Sequence, residues 1–152
     1  MSEYLQTTID KFTFRVATDR LYTPEGVWVL ALQAQGVQRV RLGVTDFVQQ
    51  RSGDVAFANV KRSGFTLQAG DEFAELETMK INQELSSPVA GSIVEINKVL
   101  EMTPEAVNQD PYAEGWLVVI EATNWEVDRA RLLAAPAYLA AMQAQAEEEL
   151  NS

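Results

Sequence analysis

Short runs of β-branched and aromatic residues, each ended by Gly, Pro, Asn or Asp, recur from Lys11 to about Glu121. Within these runs apolar and polar positions tend to alternate, the period-two signature of half-buried strands. The pattern predicts strands over Phe12 to Val16, Val27 to Leu32, Gln38 to Val44, Asp54 to Val60, Glu72 to Thr78, Gln83 to Ser86, Ser92 to Ile96 and Trp116 to Glu121. Thr45 to Arg51 breaks the alternation and predicts one or two helical turns, capped by Thr45 or Asp46 and stopped near Gly53. Pro104 to Gln109 predicts another, with Thr103 as cap and Pro104 at the first helical position. After Thr123 the period lengthens. Trp125, Arg129, Leu132 and Leu133 have helical spacing behind a capping Asn124. Pro136 then starts a second helix with Tyr138, Leu139 and Met142 on one face and acids, Glu147 to Glu149, at its end. The expected architecture is mainly β: a body over about 11–121, closed by C-terminal helices over about 124–150. No low-complexity tract or linker interrupts it, so residues 1–152 are read as one domain.

Composition narrows the chemistry. The chain has no His and no Cys, so no imidazole base, thiolate nucleophile, Ser-His pair or imidazole or thiolate metal site can be assembled from it. No loop spaces Asp, Asn and Gly as a carboxylate calcium site requires, and no metal site is expected. These absences favour a non-catalytic role. The formal net charge of −10 repels phosphate backbones, which argues against nucleic acid, and suits docking onto basic patches of other proteins. Met1 to Asp10 has neither a basic leader nor an apolar core, and no apolar run is long enough to span a bilayer. A cytoplasmic protein without membrane contact is the expectation.

One residue stands where chemistry could be attached. Alternation over Glu72 to Thr78 and the next strand from Gln83 place Lys80 at the turn between them. A lysine alone at such a place is ordinarily a solvated charge. A lysine on a hairpin tip is also what a carrier needs, because its amine projects from a rigid stalk. Extended lysine plus a medium-length acyl chain reaches roughly 14 Å, counting bonds at ordinary covalent lengths.

The flanking residues decide between these readings. Gly64 lies sixteen positions before Lys80 and Gly91 eleven after it, Pro88 stands where the chain restarts, and Glu77 is acidic three positions before the lysine. This segment resembles the biotinyl/lipoyl attachment family. Asn108-Gln-Asp-Pro-Tyr112-Ala-Glu-Gly115-Trp116 closely resembles a signature of the glycine cleavage H proteins, lipoyl carriers within that superfamily. Leu21 to Glu25 with Trp28-Val29, Gly43 to Asp46, Gly53 to Phe57, Gly70-Asp71 and Leu132 to Tyr138 resemble further blocks of it, in order. The resemblance covers about Tyr22 to Tyr138 and implies a flattened barrel-sandwich hybrid with C-terminal helices. It implies lipoate amide-linked to Lys80, with Gly64, Glu77 and Gly91 helping the modifying enzyme recognise the site. Its implied partners are a lipoate ligase or lipoyl transferase, group-donor and group-acceptor enzymes, and a dihydrolipoyl dehydrogenase. Glu75 and Glu84 are the candidates for cargo or docking contacts. Trp28, Tyr112 and Trp116 are expected to pack and to satisfy their own N–H or O–H groups rather than to react.

Three departures keep alternatives open. Glu77-Thr78-Met79-Lys80-Ile81 stands where H proteins usually have Glu-Ser-Val-Lys-Ala, and Met before the lysine with a large apolar residue after it resembles biotin acceptors. Val27 falls where the family usually has a Glu that helps to hold an aminomethyl cargo, whereas Glu84 falls at the family's other acidic position. Met1 to Arg20 has no counterpart in the family pattern. An H-like lipoate-binding protein of sulfur oxidation, a biotin carrier, and an unmodified scaffold module are the alternatives.

Overall fold

The computed structural model describes residues 3–32 and 36–151. Its strands in chain order are β1 (Tyr4–Ile9), β2 (Phe12–Ala17), β3 (Leu21–Tyr22), β4 (Val27–Leu32), β5 (Gln38–Val44), β6 (Val55–Val60), β7 (Thr66–Leu67), β8 (Glu72–Thr78), β9 (Asn82–Ser86), β10 (Gly91–Ile96) and β11 (Val118–Ala122). The helices are α1 (Asp46–Ser52), α2 (Val99–Met102), α3 (Ala106–Gln109), α4 (Trp125–Arg129) and α5 (Ala135–Leu150).

The strands form a six-stranded sheet ordered β3-β4-β5-β11-β10-β7, a three-stranded sheet ordered β6-β8-β9, and the separate hairpin β1-β2. The two larger sheets enclose one apolar core. Val29, Val40, Leu42, Val118 and Ile120 enter it from the six-stranded sheet, and Leu76 and Leu85 from the three-stranded one. Each of these is at most 4% exposed, and burying a side chain of this size contributes about 1.5–3 kcal/mol. The sandwich is flattened and mainly β, as expected, and its sheets do not close into a barrel. A second apolar cluster joins the β1-β2 hairpin to α5 and α1 through Ile9, Phe14, Val16, Phe47, Tyr138 and Met142.

Short polar contacts fix the elements that matter for the site. The Thr45 hydroxyl accepts the Val48 N–H at 3.3 Å and caps α1, and it also lies 2.8 Å from the Tyr138 hydroxyl, which ties α5 to that cap. Gly53, at φ 84°, ends the helix.

Several expected elements shift. The helix expected from Pro104 begins at Ala106, whose N–H bonds the Thr103 main-chain carbonyl, so the Thr103 side chain is not its cap. Asn124 precedes α4 without a side-chain capping bond. Leu132 and Leu133 leave the helix, because α4 ends at Arg129 and Leu133 exchanges both main-chain bonds with Tyr22 at 2.8 and 2.9 Å. β1 lies before the expected start of the body and gives the segment ahead of Arg20 a definite structure. Met1 and Ser2 lie outside the described residues.

Candidate functional site

β8 and β9 pair in antiparallel register, with Glu77 opposite Asn82 and Glu75 opposite Glu84. The turn between them is organised by one side chain. The Thr78 hydroxyl accepts the N–H groups of Lys80 at 3.1 Å and Ile81 at 3.0 Å. It lies 3.0 Å from the Ile81 carbonyl, to which the Thr78 N–H also donates at 2.9 Å. A hydroxyl that holds two successive N–H groups mimics a main-chain turn, and it presents Lys80 at the tip.

Lys80 is exposed there, between Met79 at 94% exposure and Ile81 at 41%. Its side chain bends back over the end of α1. The amine donates to the Arg51 carbonyl at 3.3 Å, where the helix dipole and unpaired carbonyls favour a cation. A Cβ on Gly53 would come within 3.5 Å of Lys80 Cδ, so the lysine stem lies close to this glycine. Asn108 braces that seat, with its Nδ2 donating to the Gly53 carbonyl at 2.9 Å and its Oδ1 accepting the Val55 N–H at 2.8 Å. Arg51 spans the surroundings: its Nη1 lies 3.5 Å from Glu149, and its Nη2 lies 3.5 Å from Gln83. Beside it, Ile9, Phe12, Phe14, Phe47 and Leu150 line an apolar notch of about 180 Å3.

The other sequence candidates separate by position. Glu77 stands one ladder step behind the turn and accepts from Asn59 at 2.8 Å. Glu75 and Glu84 oppose one another farther down the hairpin; the like charges cost some pairing energy and leave the strand pair acidic. Gly64 and Gly91 belong to the body, and among the described residues no hydrogen bond joins either to the lysine. The Gly64 N–H donates to the Ile93 carbonyl at 2.7 Å. Gly91, at φ 153°, is pressed against β11, where a Cβ would stand 2.1 Å from the Glu121 carbonyl oxygen. Val27, at the position compared with a carboxylate, is 1% exposed within the apolar core.

The aromatic residues behave as supports. Trp28 is fully buried and its indole N–H donates to the Pro111 carbonyl at 3.0 Å. The Tyr112 hydroxyl donates to the Arg15 carbonyl at 2.7 Å. The Arg20 guanidinium lies over both rings, at 4.5 Å from Trp28 and 5.3 Å from Tyr112. Trp116 is half-buried under the Arg41 guanidinium at 4.8 Å. Burial pushes the Tyr138 hydroxyl up to about 12, and burial raises Tyr22 and Tyr112 further still.

Thr78, Asn108 and Arg51 were not singled out for the site by sequence. A threonine two positions before a turn residue carries a turn signal. Asn108 belongs to the quoted signature, but its partners are more than fifty positions away in the chain.

Fold and site define a class: an open β-sandwich that presents one lysine on the tip of an antiparallel hairpin. The glycine cleavage H-protein family model matches residues 20–145, and the chain belongs to that family. It is 41% identical over 125 residues to the glycine cleavage system H protein of Oceanobacillus iheyensis, covering 82% of this chain and 95% of that one. It is 40% identical over 106 residues to that of Coprothermobacter proteolyticus, covering 70% and 81%. Among solved structures, a glycine cleavage system H protein from Mycobacterium marinum superposes with a TM-score of 0.67 at 30% identity, covering 80% of this chain and 94% of that one.

Proposed function

We propose that Lys80 carries a lipoyl group in amide linkage and that the chain serves as the carrier component of a glycine cleavage system, not as an enzyme. The observation that carries this reading is the hairpin tip: an exposed lysine, held by Thr78 on a paired stalk, in a chain that belongs to the H-protein family. The site fits an acyl amide. The amine donates to one carbonyl, that of Arg51 at the end of α1, and an amide N–H can still make that bond. When attached, the lipoyl dithiolane supplies reversible disulfide chemistry for a thiol-bound group.

The residues of this chain then have separable tasks. Thr78 and the β8-β9 ladder present Lys80 at the hairpin tip to a lipoate ligase or lipoyl transferase. Glu77, steadied by Asn59, is the recognition carboxylate nearest the lysine in the β8 ladder, while Gly64 and Gly91 preserve the frame that displays it. Glu75 and Glu84 give the stalk an acidic face for basic patches on the group-donor and group-acceptor enzymes and on a dihydrolipoyl dehydrogenase, where complementary charge mainly raises encounter rate. The notch beside Arg51 offers apolar lining to a resting acyl chain. A cytoplasmic location is part of this reading. Among the described residues no helix is long and apolar enough to cross a membrane.

A biotin arm is the second reading, favoured by the exposed Met79 and Ile81 on either side of the lysine. The two are separated by incubating the purified chain with lipoate, ATP and a lipoate ligase, or with biotin, ATP and a biotin ligase. A lipoylated product that a dihydrolipoyl dehydrogenase and NADH then reduce supports the proposal. Transfer of biotin alone overturns it.

A further inference from the structure

β1 and β2 both precede the span matched by the family model, and the hydrogen bonding of this hairpin is one-sided. Thr18 N–H donates to the Glu3 carbonyl at 2.9 Å, and the register continues through Leu5 opposite Val16, Thr7 opposite Phe14 and Ile9 opposite Phe12. Hydrogen-bonded pairs alternate with non-bonded ones in an antiparallel ladder. The main-chain groups of Thr13, Arg15 and Ala17 therefore point outward from β2, and those of Tyr4, Gln6 and Thr8 outward from β1.

The body answers the β2 edge at each of its three positions. Gln50 Nε2 donates to the Thr13 carbonyl at 3.0 Å. Arg15 N–H donates to Asp46 at 2.9 Å, and the Tyr112 hydroxyl donates to the Arg15 carbonyl at 2.7 Å. The Tyr22 hydroxyl donates to the Ala17 carbonyl. On β1, by contrast, the outward groups of Tyr4, Gln6 and Thr8 meet no hydrogen-bond partner among the described residues, and all three residues are exposed.

Exposed edges are ordinarily protected from pairing by charges, prolines or bulges. Tyr4-Leu-Gln-Thr-Thr-Ile9 contains no charged residue and no proline, and its register has no shift. We propose that β1 is a self-association strand, pairing antiparallel with β1 of a second copy about a two-fold axis at Gln6. Gln6 then faces its own counterpart and Tyr4 faces Thr8 of the second copy, so the outward groups of all three residues are bonded. The pairing is isologous, as a two-fold contact requires.

Self-complementarity selects a second copy as the occupant, because a two-fold at Gln6 matches every outward group of β1 to one of the same strand. Two chains of net charge −10 repel over most of their surfaces, but β1 is uncharged. A basic enzyme would instead find its carboxylates on the β8-β9 stalk. β2 is fastened to α1, and Lys80 rests on the last turn of α1, so pairing through the far edge of β1 leaves both lysines accessible.

The test is sedimentation of the full chain from about 1 µM to about 1 mM, the range in which so small an interface should titrate. The mass should rise from 16.9 kDa toward twice that value. Gln6→Pro removes an outward N–H without touching the β1-β2 ladder and should stay monomeric throughout. Gln6→Glu, which sets like charges on the axis, should weaken association about tenfold or more. Amides of Tyr4, Gln6 and Thr8 should gain hydrogen-exchange protection with concentration, while Leu5 and Thr7 are protected already. Should Gln6→Pro expose Leu5 and Thr7, the Gln6→Glu variant and the wild-type exchange pattern decide. A monomer at every concentration overturns the proposal, and so does a dimer in which Tyr4, Gln6 and Thr8 stay unprotected.

Discussion

Replacing Thr78 by valine keeps shape and β propensity but removes the hydroxyl that shapes the lysine turn. The loss comprises the bonds from Lys80 N–H at 3.1 Å and Ile81 N–H at 3.0 Å, together with the contact to the Ile81 carbonyl at 3.0 Å. The turn is exposed, so water replaces part of what is lost and each bond counts near the low end of about 0.5–1.5 kcal/mol. A total of about 1.5 kcal/mol follows, close to the 1.4 kcal/mol that changes a population tenfold. If the ordered tip is what a ligase engages, kcat/KM for lipoylation should fall by about tenfold. The thermal midpoint should drop by only about 2–4 °C for each kcal/mol of global destabilisation. Timed lipoylation with a lipoate ligase, read by intact mass, measures the first effect, thermal unfolding measures the second, and exchange at the Lys80 and Ile81 amides reports the order of the tip. Thr78→Ser keeps the hydroxyl and should restore most of the rate. Wild-type lipoylation and exchange in Thr78→Val would refute the claim that this hydroxyl orders the tip.

Two further perturbations probe the frame. Gly91→Ala places a Cβ 2.1 Å from the Glu121 carbonyl oxygen at φ 153°; a loss of about 2–4 kcal/mol is expected in urea unfolding, from strained backbone and displaced β11. Tyr138 keeps its proton up to about 12 because it is buried, and Tyr22 and Tyr112 are raised further for the same reason. Their unfolded counterparts lose the proton near pH 10. The associated stability is therefore complete below about pH 10 and is lost above it, at about 1.4 kcal/mol per residue per pH unit. Tyrosinate absorbance from these three residues should thus appear together with loss of circular dichroism above pH 10.

The site hairpin was legible because Glu72 to Thr78 alternates and its neighbours supply turn residues, so Lys80 fell at the tip without any long-range information. The α1 cap at Thr45 was legible for the same local reason. What escaped depended on partners distant in sequence. β1 reads weakly because Thr7, not an aliphatic residue, sits between Leu5 and Ile9 on its inner face, where Gln143 of α5 meets it at 2.6 Å. Leu132 and Leu133 continue the spacing of α4, yet pairing of Leu133 with Tyr22 outweighs one more helical turn. β3 and β7, of two residues each, are too short to carry a period. Family blocks located Asn108 and Tyr112, but not that the first braces the seat of Lys80 and the second fastens β2.

Intact mass followed by peptide mapping of the protein purified from its native cells tests the central claim most directly. The account predicts a lipoyl adduct on the peptide containing Lys80, absent from Lys80→Arg. A bare Lys80 in cells whose other lipoyl proteins are modified would contradict it.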